Sequence, residues 1–168
     1  AEEAKKLEAI GVASIDVAGA GGTSWAAVEH YRAKKQGDEL AQMLGEALWD
    51  WGIPTAISLI EVVQSVSLPV IASGGIRSGE DAAKSIALGA SLTGIAYPAL
   101  APALKGSSEV KKTLNLMIDH LRSVMFLVGA ESIKKLKVSP LVLTGRTAEW
   151  LRARGFKPRI YTRRKRGY

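Results

Sequence analysis

The sequence predicts an α/β fold: about three parallel strands with crossover helices, forming the C-terminal part of a (β/α)8 TIM barrel and followed by C-terminal helices. Three observations predict it. Short, wholly apolar runs end in glycine-rich loops, as strands buried on both faces do. These runs alternate with helix-spaced segments, the pattern that places strands side by side in one parallel sheet. The chain has 168 residues, whereas a closed eight-stranded barrel typically takes about 250. The alternative is a small open three-stranded sheet standing alone, which leaves a strand edge unprotected.

The chain opens within a helix, where Ala4, Leu7, Glu8 and Ile10 precede the stop at Gly11. Val12 to Ala18 reads as the first buried strand, followed by the loop Gly19-Ala-Gly-Gly-Thr-Ser-Trp25. One or two connecting helices come next. Leu40 to Trp51 sets Leu44, Ala47, Leu48 and Trp51 on one face. After Gly52-Ile-Pro54 a helix runs from about Thr55 to Val63. A second strand over 70–73, a helix over 80–89 and a third strand from Leu92 to Ala96 complete the alternation. Beyond Pro98 the pattern turns helical. Val110, Leu114, Met117, Ile118, Leu121, Val124, Met125 and Val128 form a long apolar stripe ending near Gly129 and read as core. Shorter helices are expected over Ala130 to Leu136 and Thr144 to Arg154. There is no internal repeat. The chain divides into barrel over 1–104, a helical segment over 105–155 and a basic tail over 156–168.

The composition bounds the function. With 47% hydrophobic residues the chain can bury one sizeable core. Its apolar runs are too short and broken to span a membrane, and its first residues lack the apolar core of a signal peptide. The absence of cysteine excludes disulfides, thiolate ligands and a cysteine nucleophile, and is compatible with a cytoplasmic protein. His30 and His120 are far apart and stand at no metal-ligand spacing. The net charge of +7 resides in the tail: eight Lys/Arg and no acid lie between Arg152 and Tyr168, against 15 basic and 16 acidic residues before them. Such a tail could attract nucleic acid, but no aromatic stacking platform accompanies it except Tyr161 and Tyr168. A solvated or subunit-contacting terminus is the favoured reading.

The most informative segment is Ile71-Ala-Ser-Gly-Gly-Ile-Arg-Ser-Gly79. An apolar strand runs into paired glycines that open onto a helix, so backbone N–H groups and the positive end of the helix dipole converge on one point, as a phosphate requires. A tight strand-to-helix turn without a ligand is the bland alternative. Elsewhere, Asp16 is either a polar group near a ligand or a strand carboxylate bonded to nearby backbone, the second being preferred. Ser24 lacks a nucleophile elbow and a histidine partner. Glu29 and Arg32, three apart on a helix, read as a surface pair. Trp25 either lies near a ligand or anchors its loop.

Ile15-Asp-Val-Ala-Gly-Ala-Gly-Gly-Thr-Ser-Trp25, Glu29-His-Tyr-Arg32, Trp49-Asp-Trp-Gly-Ile-Pro-Thr55, Ser73-Gly-Gly-Ile-Arg-Ser-Gly79 and Asp81-Ala-Ala-Lys-Ser-Ile-Ala-Leu-Gly-Ala90 together resemble type 2 isopentenyl-diphosphate isomerases, over residues 1 to about 155. The glycine loop at 73–79 is shared with other phosphate- or FMN-binding barrels; the tryptophan-containing segments are more specific. The resemblance implies a cytoplasmic, homo-oligomeric flavoenzyme that interconverts isopentenyl and dimethylallyl diphosphate. It further implies reduced FMN as the acid–base element, NADPH as reductant, and Mg2+. Carried over by position, Thr23 resembles a hydroxyl that bonds FMN, and Ala18 a neighbouring contact lacking the hydroxyl that relatives have there. Gly74, Gly75, Ile76 and Arg77 resemble the loop around the FMN phosphate, and Ala96 and Tyr97 the partner loop. Arg77 either adds a charge-assisted bond or faces solvent.

In that family the substrate-gripping residues and the magnesium glutamate belong to an N-terminal half with no counterpart here. No catalytic or metal residue is therefore assigned, and the isolated chain is expected to be inactive and to bind FMN weakly. Two other readings stand beside this one: another FMN or nucleotide barrel of dehydrogenase or oxidase type, and a nucleic-acid-binding fragment acting through its tail.

Overall fold

The computed structural model describes residues 1–164; Lys165, Arg166 and Tyr168 of the basic tail lie outside the described residues. Three strands, β1 (Ile15–Asp16), β2 (Val70–Ala72) and β3 (Leu92–Thr93), form one parallel sheet in the order β1-β2-β3. Ile15 pairs with Val70, and Ile71 with Leu92. Helices fill the rest in chain order: α1 (Glu2–Ala9), α2 (Trp25–Gln36), α3 (Glu39–Ala47), α4 (Thr55–Val63), α5 (Gly79–Leu88), α6 (Tyr97–Lys105), α7 (Ser107–Leu127), α8 (Ile133–Lys137), α9 (Gly145–Ala153) and α10 (Arg159–Thr162).

The strands are shorter than the apolar runs that announce them. Hydrogen bonding between the first two segments nonetheless continues past β1, with Val17 N–H donating to Ile71 O at 3.1 Å and Gly19 N–H to Ser73 O at 3.2 Å. Regular pleating stops because Ala18 takes φ of +38°, the one described non-glycine residue with positive φ. Asp16 makes this tolerable by accepting the Ala18 N–H on Oδ1 at 3.1 Å.

α4 is buried along nearly its whole length, through Ile57, Leu59, Ile60, Glu61 and Val62, because the sheet lies on one side and α9 on the other. Its buried Glu61 accepts from Trp150 Nε1 at 3.2 Å and from Arg154 Nε and Nη2 at 3.3 Å each, which fastens α9 to α4. α5 begins with a full capping box: Ser78 accepts the Asp81 N–H, while Asp81 accepts from the Ser78 and Arg77 N–H groups at 3.0 Å each. Burial acts to raise the Asp81 carboxyl pKa, but the bonds from Arg77 and Ser78 outweigh it and hold the group below the ordinary aspartate value.

Two expected apolar faces are only partly covered. The C-terminal half of the α7 stripe packs on α5 and α8 through Leu121, Val124, Met125 and Val128, whereas Leu114 and Ile118 are exposed. On α3 and just beyond it Leu44, Leu48 and Trp51 are exposed, Trp51 by 85%. The helical spacing holds along α7, whereas α3 ends at Ala47, so Leu48 and Trp51 lie beyond the helix on whose face they were expected.

The described part of the basic tail is pinned to the body at a few residues, while Lys157, Arg159 and Arg163 stay exposed as expected of a solvated terminus. Phe156 packs against the main core and Tyr161 is buried within it. Its phenol donates to Leu88 O at 3.2 Å and accepts from Gln64 Nε2 at 3.3 Å. Burial pushes this phenol above its ordinary pKa, opposed by the Gln64 bond and the Arg164 charge. The Arg164 guanidinium lies 4.4 Å from the Tyr161 ring centroid and donates to the carbonyls of Ala87 and Lys137, at the C-terminal ends of α5 and α8. The sequence marked this stretch by charge alone, and its anchors, Phe156 and Tyr161, are isolated apolar residues without helical periodicity.

Two outcomes are expected. Tyr161→Ala should lower unfolding stability in urea by about 3–5 kcal/mol, the usual loss for a large buried aromatic, while the exposed Arg163→Ala changes it by less than about 0.5 kcal/mol. Because the folded Asp81 pKa is depressed, its contribution is fully present above the unfolded value of about 3.9 and is lost as pH falls through the folded value. Asp81→Asn should therefore be less stable than wild type at neutral pH, and the gap should close in acid, as read by denaturant midpoints against pH.

Candidate functional site

The C-terminal ends of the three strands open into one cavity of about 500 Å3. Three loops line it. The β1 loop contributes Asp16, Ala18, Gly19, Gly22, Thr23 and Trp25; the β2 loop Ser73, Gly74, Gly75, Ile76 and Arg77; the β3 loop Gly94, Ile95, Ala96 and Tyr97. All eight residues singled out for a cofactor, Ala18, Thr23, Gly74, Gly75, Ile76, Arg77, Ala96 and Tyr97, thus share one cavity although 79 positions separate the first from the last.

The β1 and β2 loops interlock. Gly74 and Gly75 have φ of +88° and +84°, and a Cβ at either would overlap the backbone of the first loop, at the Gly19 and Gly21 carbonyl oxygens respectively. Reciprocally, a Cβ on Gly22 would lie 3.0 Å from the Gly75 nitrogen and cover it. No other residue type fits at these places. Among the described residues, the Gly75 and Ile76 N–H groups have no acceptor. Both sit just before the α5 N-terminus. The cavity therefore offers uncovered backbone donors and a helix dipole's positive end, the donor set an anionic phosphate takes.

Side chains complete the frame. Arg77 Nη2 donates to Gly21 O at 3.2 Å, so this exposed guanidinium also bridges the two glycine loops. Ser73 Oγ donates to Asp16 Oδ1 at 2.5 Å. Asp16 thus accepts from the Ala18 backbone and the Ser73 side chain, in line with its reading as a bonded strand carboxylate. Trp25 and Tyr97, 71% and 76% exposed, form apolar walls at the mouth. Ser24 caps α2 by accepting the Ala27 N–H at 3.1 Å and donates to Trp49 O at 2.5 Å, which leaves it no nucleophilic role. Glu29 and Arg32 form an exposed ion pair at 2.6 Å, as expected of a surface pair. His30 Nδ1 lies 3.0 Å from Gln42 O, away from the cavity.

Sequence reasoning passed over two residues. Ser73 supports Asp16, and Thr55 Oγ1 donates to Gly74 O at 2.5 Å. Thr55 stands at the end of the quoted Trp49-to-Thr55 segment, and its helix-initiating position concealed that its hydroxyl reaches another loop. Among the described residues no group of three or more histidine or carboxylate side chains is placed to hold a metal ion. No described helix is long and apolar enough to cross a membrane.

Comparison with known proteins agrees with this architecture. Isopentenyl-diphosphate delta-isomerase of Methanothermobacter thermautotrophicus is 58% identical over 163 residues, 97% of this chain and 45% of that protein. The protein of the same name from Pyrococcus furiosus is 53% identical over 154 residues, 91% of this chain and 38% of that protein. The chain thus spans less than half the length of the curated relatives it matches. Among solved structures, a mandelate oxidase variant with a monooxide FMN adduct superimposes with TM-score 0.60 at 28% identity, over 81% of this chain and 37% of that one. A mandelate oxidase with 3,3-difluoro-2-hydroxy-3-phenylpropionic acid gives TM-score 0.60 at 29% identity, over 81% and 35%. The three parallel strands and their crossover helices are accordingly part of a TIM barrel. The model of the FMN-dependent dehydrogenase family matches residues 1–143, and the chain belongs to that family.

Proposed function

We propose that this chain supplies the FMN-phosphate-binding edge of an enzyme that interconverts isopentenyl and dimethylallyl diphosphate. The single observation that carries the reading is the interlocked pair of glycine loops with uncovered N–H groups at Gly75 and Ile76. The reaction is supported by relatives at 53–58% identity named as that isomerase, against 28–29% for the oxidases.

The residues divide the work by chemistry. Gly74, Gly75, Ile76 and Arg77 on one side, with Ala96 and Tyr97 on the other, hold the phosphate, chiefly through backbone N–H groups. Arg77 keeps donors beyond the one given to Gly21 O and adds positive charge to that end of the cavity. Thr23 offers a hydroxyl toward the flavin, and Ala18 a packing contact set by its positive φ. Trp25 and Tyr97 exclude water from the mouth. Reduced FMN, when bound, supplies the acid–base chemistry that moves a proton on and off the substrate alkene without net redox. The lining carries no imidazole, and its one carboxylate, Asp16, is engaged by Ser73 and Ala18, which disfavours a side-chain base for hydroxy-acid oxidation at this edge.

In this reading the substrate diphosphate, its Mg2+ and the remaining flavin wall belong to an N-terminal half of the barrel, NADPH reduces the flavin, and the whole enzyme is a cytoplasmic homo-oligomer. The test is FMN titration followed by flavin fluorescence. Saturable binding by this chain is expected, with more than about tenfold loss in Gly75→Asp, whose added atoms meet Gly21 and whose charge repels phosphate; circular dichroism checks that the variant stays folded. Isomerase activity should emerge only on mixing with the N-terminal half. Absence of FMN binding alone and in the mixture would sink the proposal.

A further inference from the structure

We propose that Thr55 is a positioning residue for the phosphate loop: its hydroxyl fixes the Gly74–Gly75 peptide so that the Gly75 N–H is presented to the anion. This inference rests on the flavin-phosphate reading above.

The packing around this hydroxyl is built for it. Thr55 Oγ1 donates to Gly74 O at 2.5 Å. A Cβ on Gly21 would lie 3.1 Å from that same oxygen, and one on Gly19 only 2.8 Å from it. Two glycines of the first loop, Gly19 and Gly21, thus make room for the side-chain oxygen that Gly74 of the second loop engages. The hydroxyl is not used for helix capping: Pro54 occupies the N-cap of α4, and Thr55 is the first residue inside the helix. α4 also carries Leu59 and Ile60, both fully buried, so the hydroxyl stands on a firmly held element.

The consequence follows from peptide geometry. No described peptide bond is cis, and in a planar trans peptide C=O and N–H point in opposite directions. Holding Gly74 O toward Thr55 therefore turns the Gly75 N–H away from α4. A Gly-Gly peptide with positive φ at both residues is the part of the loop most able to rotate, since neither residue has a side chain to resist it. The Thr55 bond removes that freedom before ligand arrives and polarises the same amide, strengthening its N–H as a donor. The strap leading to Thr55 is itself tied down. Ile53 O accepts the Ala20 N–H at 2.8 Å, and Trp49 O accepts from Ser24 Oγ at 2.5 Å. The α2–α3 excursion thus leaves the cavity at Ser24 and returns at Thr55 to clamp both glycine loops.

The test crosses two variants of the whole chain. Thr55→Val keeps the shape and loses the hydroxyl; Thr55→Ser keeps the hydroxyl and loses the methyl. By FMN fluorescence titration Thr55→Val should bind about five- to tenfold more weakly than wild type, the worth of one lost hydrogen bond, and Thr55→Ser within about twofold of it. The reverse order would assign Thr55 to packing and overturn the inference, as would equal affinity of Thr55→Val and wild type; either leaves the flavin reading intact. If wild type binds FMN only in the mixture with the N-terminal half, the variants are compared there; if it fails both alone and in the mixture, the flavin reading fails and takes this inference with it. Should Thr55→Val not fold, the wild-type chain decides by amide NMR. The Gly75 proton resonance is expected to move on adding FMN, and an unmoved resonance overturns the proposal.

Discussion

Two loop backbones approach each other more closely than any side chain would allow, and the rest of the site depends on that approach. Gly74 and Gly75 rest against the carbonyls of Gly19 and Gly21, and Gly22 leaves the Gly75 nitrogen uncovered. The sheet brings the loops to this distance through the parallel pairing of β1 with β2 and the bond from Gly19 N–H to Ser73 O. Thr55 then bonds Gly74 O, and Arg77 reaches from the second loop across to Gly21 O. Backbone donors held in this way need no rearrangement when charge arrives, which is how a site made mostly of glycine can still be specific in geometry. The phosphate-holding function proposed above uses this rigidity directly.

Much of the site was legible because its chemistry is local. Paired glycines after an apolar strand, and Ser78 with Asp81 at the start of a helix, are short-range signals whose physics lies within a few residues. The same holds for α4, whose limits at Thr55 and Val63 follow from Pro54 before it and the end of its apolar run. What escaped was non-local. Thr55 bonds Gly74 across 19 positions, and Ser73 bonds Asp16 across 57. Nothing in a run of residues announces such partners. The first strand was read too long because an apolar run marks burial, whereas regular strand geometry gives way where Ala18 turns to positive φ, with only the bonds from Val17 and Gly19 continuing beyond β1.

Hydrophobic spacing also overstates burial. The stripe on α7 and the face of α3 have the periodicity of core, yet Leu114, Ile118, Leu44, Leu48 and Trp51 are exposed. Periodicity shows that a face seeks a partner but not which chain segment supplies it. The outer edges of β1 and β3 are likewise unpaired among the described residues. Both observations accord with a chain that matches less than half the length of its relatives.

Tyr161 has a consequence for how the protein is made. It fills a cluster that also holds Ala4, Ile15, Leu59 and Val70, so the core of the sheet waits for a side chain synthesised long after the strands. At about 5–20 residues per second, the ribosome takes roughly 5–20 s to travel from Val70 to Tyr161. Throughout that interval Val70, Leu88 and the apolar side of α4 lack their seal. The nascent chain therefore carries unsealed apolar surface over that interval, and substitutions at Phe156 or Tyr161 should be felt first as poor yield during expression, before any change in the finished protein's binding is measured.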